Sequence, residues 1–271
     1  MPPKPILPNL QTSVLDEGDI LLLDDTTELT NAELGHLVVR AGQFSSGDSA
    51  GESTLVHAVM WTRLSAGGIV WSDPPTSGIV FGNVHDQAMW NLQVAQRDAR
   101  LSHEISEASG RFGVRNHWLR RGYYYAYQVR AEHLELARLA AKVARTWASR
   151  SAIKYSQSEA SRSVVGSSTY GSAAAARAAQ YARDAESPLP EWARTGSGMF
   201  VEGNFGNAFC SQFIIAAYQA ASVRLGIPPS GITQLDAARS NVRDLHGALK
   251  RDVRFENVGN VRVVASEHDN T

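Results

Sequence analysis

Asn207-Ala208-Phe209-Cys210-Ser211-Gln212-Phe213-Ile214-Ile215-Ala216-Ala217-Tyr218-Gln219-Ala220-Ala221 holds the only cysteine among 271 residues. From Cys210 onward, Phe213, Ile214, Ala217, Tyr218 and Ala221 recur at helical spacing. That pattern predicts the apolar stripe of an amphipathic helix. Gly203, Asn204, Gly206 and Asn207 are turn formers just before it, so the predicted helix opens at the thiol. A helix N-terminus carries partial positive charge and free N–H groups, and both favour a thiolate over a thiol. The plain structural alternative is a small buried core residue.

Composition bounds the rest. Hydrophobic residues make up 43% and charged residues 20%, enough to bury a real core. A net charge of −1 gives no global pull toward nucleic acid, and none is expected as a partner. One cysteine cannot form an internal disulfide, so the fold needs no oxidising compartment. Met1-Pro2-Pro3-Lys4-Pro5-Ile6-Leu7-Pro8 lacks the apolar run of a signal peptide. Other apolar runs are short, so no integral membrane segment is expected. The expected location is the cytoplasm as synthesised, with secretion or delivery by a signal-independent route as a further expectation.

Residues 1–14 read as a Pro-rich leader, and Ile20–Leu23 as a buried strand entered through Gly18-Asp19. Thr30–Arg40 reads as a short helix and Gly42–Ser53 as a loop. Leu55–Thr62 reads as a strand buried on both faces. Residues 64–100 suggest two short strands and a helix. Glu104–Ala108 and Tyr123–Arg130 read as strands, with a turn through Gly110 and Gly113 between them. Glu132–Ser149 is a strong helix, carrying Leu136, Leu139, Val143 and Trp147 inward. Ala173–Ala185 is helical by alanine content, within a Ser/Ala-rich stretch that alternatively is a surface excursion. Asp236–Arg251 reads as a last helix and Val253–Val264 as one or two closing strands. The order implies one α+β domain spanning residues 1–271.

Three further segments precede the cysteine in a telling order. They are Glu17-Gly18-Asp19-Ile20, Leu55-Val56-His57-Ala58-Val59, and Glu107-Ala108 running on through Gly113-Val114, Trp118-Leu119-Arg120-Arg121-Gly122 and Tyr127-Gln128-Val129-Arg130. With Phe209-Cys210-Ser211-Gln212 last, the series resembles the circularly permuted papain-fold cysteine hydrolases. These are the YiiX/YaeF-like branch of the NlpC-type superfamily, related to lecithin:retinol acyltransferase. That family shows a GDI strand, an HVGIV-like histidine strand, a strand ending in EA, a W(I/L)xRG turn, a YxVxR-like strand and a (Y/F)CSE(L/F) helix. The resemblance runs in order over most of residues 15–260. It implies a permuted papain-like (NlpC-type) fold, with an antiparallel sheet packed against helices and the nucleophile at a helix N-terminus. Two features depart from it. Gln212 stands where the family has Glu, and insertions are expected at residues 64–100 and 156–187.

A free thiol has a pKa of about 8.5, so it needs a base to react at neutral pH. By the resemblance, Cys210 is the nucleophile and His57 the base. The third, orienting residue is Glu107 or His103, which share strand parity, while Glu104 faces the other way. Glu107 is the leading choice. The Cys210 amide is the natural first oxyanion donor. Asp19 is worth testing near the site, although a plain turn explains Gly18-Asp19. Trp61, Trp71 and Trp90 line a pocket or, more simply, the core. No CxxC or HExxH spacing occurs, so no metal or other cofactor is expected.

The leading expectation is a cysteine hydrolase or acyltransferase that opens an amide or ester bond through a thioester. Cell-wall peptides and lipids are the substrate classes, so amidase and lipase chemistry both stand. A bacterial toxin or effector, with an immunity or delivery protein as partner, is a sub-hypothesis. The alternatives are a non-catalytic papain-fold binding module and a structural protein with a buried cysteine.

Overall fold

The chain is described by a computed structural model, which places residues 9–10, 15–24, 55–62, 105–109, 113–117, 119, 122–148, 153–163, 168–186 and 207–263. Ile20-Leu21-Leu22 is entirely buried because strand β2 (Ile20–Asp24) lies in mid-sheet. Its neighbours are β3 (Leu55–Trp61) and β6 (Gly122–Val129), both antiparallel to it. β4 (Ile105–Ser109) and β5 (Gly113–His117) extend the sheet beyond β3. β9 (Phe255–Val263) and β1 (Asn9–Leu10) extend it beyond β6. The order is β1-β9-β6-β2-β3-β4-β5, with only β1–β9 parallel. A separate parallel pair joins β7 (Lys154–Tyr155) to β8 (Asn207–Ala208).

Every residue of β3 is buried, as expected of a strand covered on both faces. One face of the sheet, through Leu22, Ala58, Met60 and Ala108, meets the helices. The other, through Leu21, Val59, Trp61, Ile105 and Tyr124, forms a second apolar cluster with Leu15 and Leu119. Trp61 is therefore a core residue. Trp71 and Trp90 lie outside the described residues.

The helices are α1 (Leu134–Ala148), α2 (Gln157–Ser163), α3 (Ser172–Glu186), α4 (Cys210–Arg224) and α5 (Val242–Leu249). α4 begins at Cys210, where the pattern placed it, but the amphipathic expectation is corrected. All residues from Cys210 to Ser222 are buried. The polar residues between the apolar ones are tied to backbone instead of facing water. Ser211 Oγ donates to the Ser240 carbonyl at 2.8 Å, Ser222 Oγ to Ile227 at 3.0 Å, and Gln219 Nε2 to Leu235 at 2.7 Å. A helix wrapped this way is the central post of the domain.

α1 and α3 flank α4. Trp147 of α1 lies 6.2 Å from both the Phe213 and Tyr181 rings. α3 buries Ala174, Ala178, Tyr181 and Ala182, so this Ser/Ala-rich stretch supplies core instead of a surface excursion. Tyr218, two turns along α4 from Cys210, donates its hydroxyl to the Gly18 carbonyl at 2.5 Å. Gly18 has φ +96°, and a Cβ there would lie 2.6 Å from the Cβ and carbonyl oxygen of Ala137. Glycine is thus required for close approach as well as for conformation.

Four expectations change in detail. Residues 131–133 form a 3₁₀ turn before α1, which starts at Leu134. The single helix over 236–251 is two elements, a 3₁₀ turn Ala237–Arg239 and then α5. The break follows from Asn241, whose side chain accepts from the Arg243 and Asp244 amides while Asp244 returns a bond to the Asn241 amide. That reciprocal pair starts a new helix. The turn expected through Gly113 gives way to a strand that begins there. The segment read as a leader contributes β1 to the sheet. The expected helix over 30–40, the loop over 42–53 and the segment 64–100 lie outside the described residues.

Candidate active site

The site is assembled from three elements that are far apart in sequence. β3 carries His57, β4 carries Glu107, and α4 opens on Cys210. β3 and β4 share the ladder pairs Met60↔Ser106 and Trp61↔Ile105. The described ladder ends at those pairs, and beside its end β3 is irregular, with Leu23 paired to His57 and Asp24 to Leu55. There the two side chains meet, with His57 Nε2 2.8 Å from Glu107 Oε2. A carboxylate only accepts, so Nε2 carries the hydrogen, and Nδ1 is left to face the sulfur.

Cys210 and His57 are each 5% exposed, and Glu107 is 0% exposed. Burial alone would push the imidazole down. Hydrogen bonds to Cys210 and Glu107, with their negative charge, outweigh it and raise His57 from 6.5 to about 9. Burial likewise works to raise the thiol. The His57 hydrogen bond and charge, then the Ala58 and Ser211 amides, overcome it and lower the Cys210 pKa. Both shifts favour the thiolate–imidazolium form.

The Ala58 amide follows from the strand geometry. Trp61 N–H donates to Asp19 on the β2 side at 2.8 Å. By alternation the Ala58 N–H points to the β4 side, just past the described ladder pairs. Sequence reasoning named the helix start as a thiolate stabiliser and missed this second source. Only the β3–β4 register reveals it.

Gln212 also gains a role. It is the third residue of α4, and its Oε1 accepts from the Phe209 amide at 3.4 Å. Its side chain also hydrogen-bonds Tyr181 of α3. A neutral amide can serve both partners, accepting from one and donating to the other. Gln212 therefore caps the helix start. The Cys210 amide lies in the first turn of α4, among the N–H groups that have no intrahelical acceptor.

Asp19 lies elsewhere. It is level with Trp61, four residues along β3 from His57, or about 13 Å away. Its carboxyl accepts from the Asp16 and Val129 amides and from Gln128 Nε2. Burial raises its pKa from 3.8 to about 7, against the lowering effect of those hydrogen bonds. Asp19 is a turn and anchoring residue, as the simpler explanation of Gly18-Asp19 had it. His103 and Glu104 lie outside the described residues. Among the described residues no group of three His, Cys, Asp or Glu side chains is placed to hold a metal ion. Nor is any helix there long and apolar enough to cross a membrane.

Comparison with family models, with curated proteins and with solved structures finds no match for this chain.

Proposed function

We propose that this protein is a cysteine hydrolase or acyltransferase with a permuted papain-like arrangement of strands and nucleophilic helix. One observation carries the proposal: a buried Cys210–His57–Glu107 relay, with His57 held 2.8 Å from Glu107 and coupled to the sulfur. Burying an acid and a base together is costly unless they neutralise each other, and core packing alone does not call for it.

The chemistry follows from the roles. The Cys210 thiolate attacks a carbonyl carbon, and the tetrahedral oxyanion is met by the Cys210 amide at the positive end of α4. His57 gives its proton to the departing amine or alkoxide, and a thioester remains. Water or a second acceptor then loses a proton to His57 and attacks the thioester, which releases the acid or transferred product and restores the thiolate–imidazolium pair. Glu107 holds the ring in place and stabilises its cation throughout. Peptide amides and lipid esters both suit this chemistry. Delivery into another cell, with an immunity partner, remains the sub-hypothesis that goes with a cell-wall or membrane target.

The test is iodoacetamide alkylation of Cys210 across pH, followed by intact-mass detection of an acyl-enzyme after exposure to cell-wall fragments and, separately, to lipid extracts. A thiol reactive well below the free value, and losing that reactivity in His57→Ala, supports the proposal. An inert thiol with a free-cysteine profile would overturn it in favour of a binding module.

A further inference from the structure

A pocket of about 250 Å³ opens on the sheet, lined by Asp24, Tyr123, Tyr124, Tyr125 and Asn260. The register explains the cluster. Asp24 pairs across to Tyr123, and Tyr125 pairs across to Asn260. Tyr123 and Tyr125 are two apart on β6, so their rings share a face. Tyr124 turns the other way, into the second apolar cluster, and lines the pocket from between them. Tyr123 is 45% exposed, large for an aromatic ring beside a cavity.

Asp24 is the unusual member. Its Oδ1 is enclosed, and no described residue donates a hydrogen bond to it. A carboxyl group in the pocket wall disfavours an anion and gives a purely apolar guest nothing to pair with. Two tyrosine faces beside a carboxylate attract a cation. We propose that this pocket binds a primary ammonium group of the substrate. The cation sits against Tyr123 and Tyr125, with N–H groups donated to Asp24 and to the side-chain carbonyl of Asn260.

As a substrate subsite the proposal rests on the hydrolase reading above. Leu23, beside Asp24, pairs with His57, so the pocket lies at the histidine end of the sheet. β6 is two strands from β3, which sets the amine about 10 Å from the strand of His57, with the sulfur on that strand's far side. The substrate class is then an acyl compound with an amino group several bonds from the scissile carbonyl.

Calorimetry on the Cys210→Ala protein separates binding from chemistry, with n-hexylammonium and hexanol as probes. The ammonium should bind with a Kd of about 1 mM or tighter. Its affinity should exceed that of hexanol by at least about tenfold. Asp24→Asn should erase the difference. Tyr123→Leu, at an exposed position that leaves folding intact, should weaken the ammonium alone. Equal binding of the two probes, no ammonium binding, or an unchanged ammonium affinity in both variants overturns the pocket assignment. Turnover of nitrophenyl aminooctanoate and nitrophenyl octanoate by the wild type tests the link to catalysis. Preference for the amino ester supports the subsite. Turnover of both without preference refutes it. Turnover of neither, with ammonium binding intact, refutes the hydrolase reading and leaves the pocket standing.

Discussion

Replacing Glu107 by Gln removes one charge and almost no volume, so it isolates what the carboxylate does for His57. The rise of the imidazole from 6.5 to about 9 corresponds to roughly 3 kcal/mol in favour of imidazolium. Burial opposes it, so the supports from Cys210 and Glu107 together exceed that sum. Cys210 gives the larger hydrogen-bond contribution. Loss of the Glu107 charge should then cut the thiolate–imidazolium population by about tenfold or more. The carboxylate also orients the ring, so turnover should fall further, by about 10²- to 10³-fold. Stability should change little, because Gln keeps the volume and an oxygen acceptor for the His57 Nε2–H, and the imidazole can shed its charge. The assay is alkylation of Cys210 against pH, with a histidine NMR titration and melting temperatures beside it. The rise of reactivity should move to higher pH, and the imidazole should titrate below 9. His103→Gln should be mild. Wild-type alkylation at about pH 6 in Glu107→Gln would refute the relay. So would a crippled His103→Gln beside a normal Glu107→Gln.

Cys210→Ala should abolish turnover and cost about 1 kcal/mol or less, read by activity and by denaturant midpoint, since it removes one sulfur and leaves a small void. Asp19→Asn should flatten the pH dependence of stability. The folded carboxyl titrates near 7 and the unfolded one near 3.8, so the protonated form's stabilisation is full below 3.8 and is lost as pH rises through 7. Urea unfolding between about pH 4 and pH 8 should show wild type losing a few kcal/mol where Asp19→Asn does not. Gly18→Ala should lower the melting temperature by several degrees, because the added Cβ meets Ala137 at 2.6 Å in a backbone conformation with positive φ.

Much of this was legible in the residues. The apolar spacing after Cys210 and the glycines and asparagines before it place the helix start, and α4 begins at that residue. His57 and Glu107 lie on strands the sequence marks, and pairing β3 with β4 brings them together. That pairing is long-range, however, and sequence offers no measure of it. Other features were hidden for physical reasons. The polar residues of α4 read as a solvent face because hydrogen bonds such as Ser211 to Ser240 span 29 positions. Asn241 and Asp244 form a local cap that the longer apolar pattern over 236–251 obscured. The strand Gly113–His117 carries Arg115 and Asn116, so alternation was too weak to mark it.

The register between β3 and β4 also explains how one site holds a thiolate in so buried a place. The described ladder pairs stop at Met60↔Ser106, and beyond them side chains do the joining. His57 reaches Glu107 across the gap, and the Ala58 amide turns toward the sulfur. A continued ladder would have engaged that amide with a β4 carbonyl. The start of α4 takes the carbonyl's place, so a strand N–H and a helix N–H converge on one atom. The sulfur's negative charge is thus met by oriented dipoles as well as by imidazolium. Fixed dipoles keep their value in a dry interior, where an isolated charge would be neutralised. The interrupted pairing is therefore a structural condition of the lowered thiol pKa, and a change that closed the β3–β4 ladder should raise the Cys210 pKa without touching any of the three side chains.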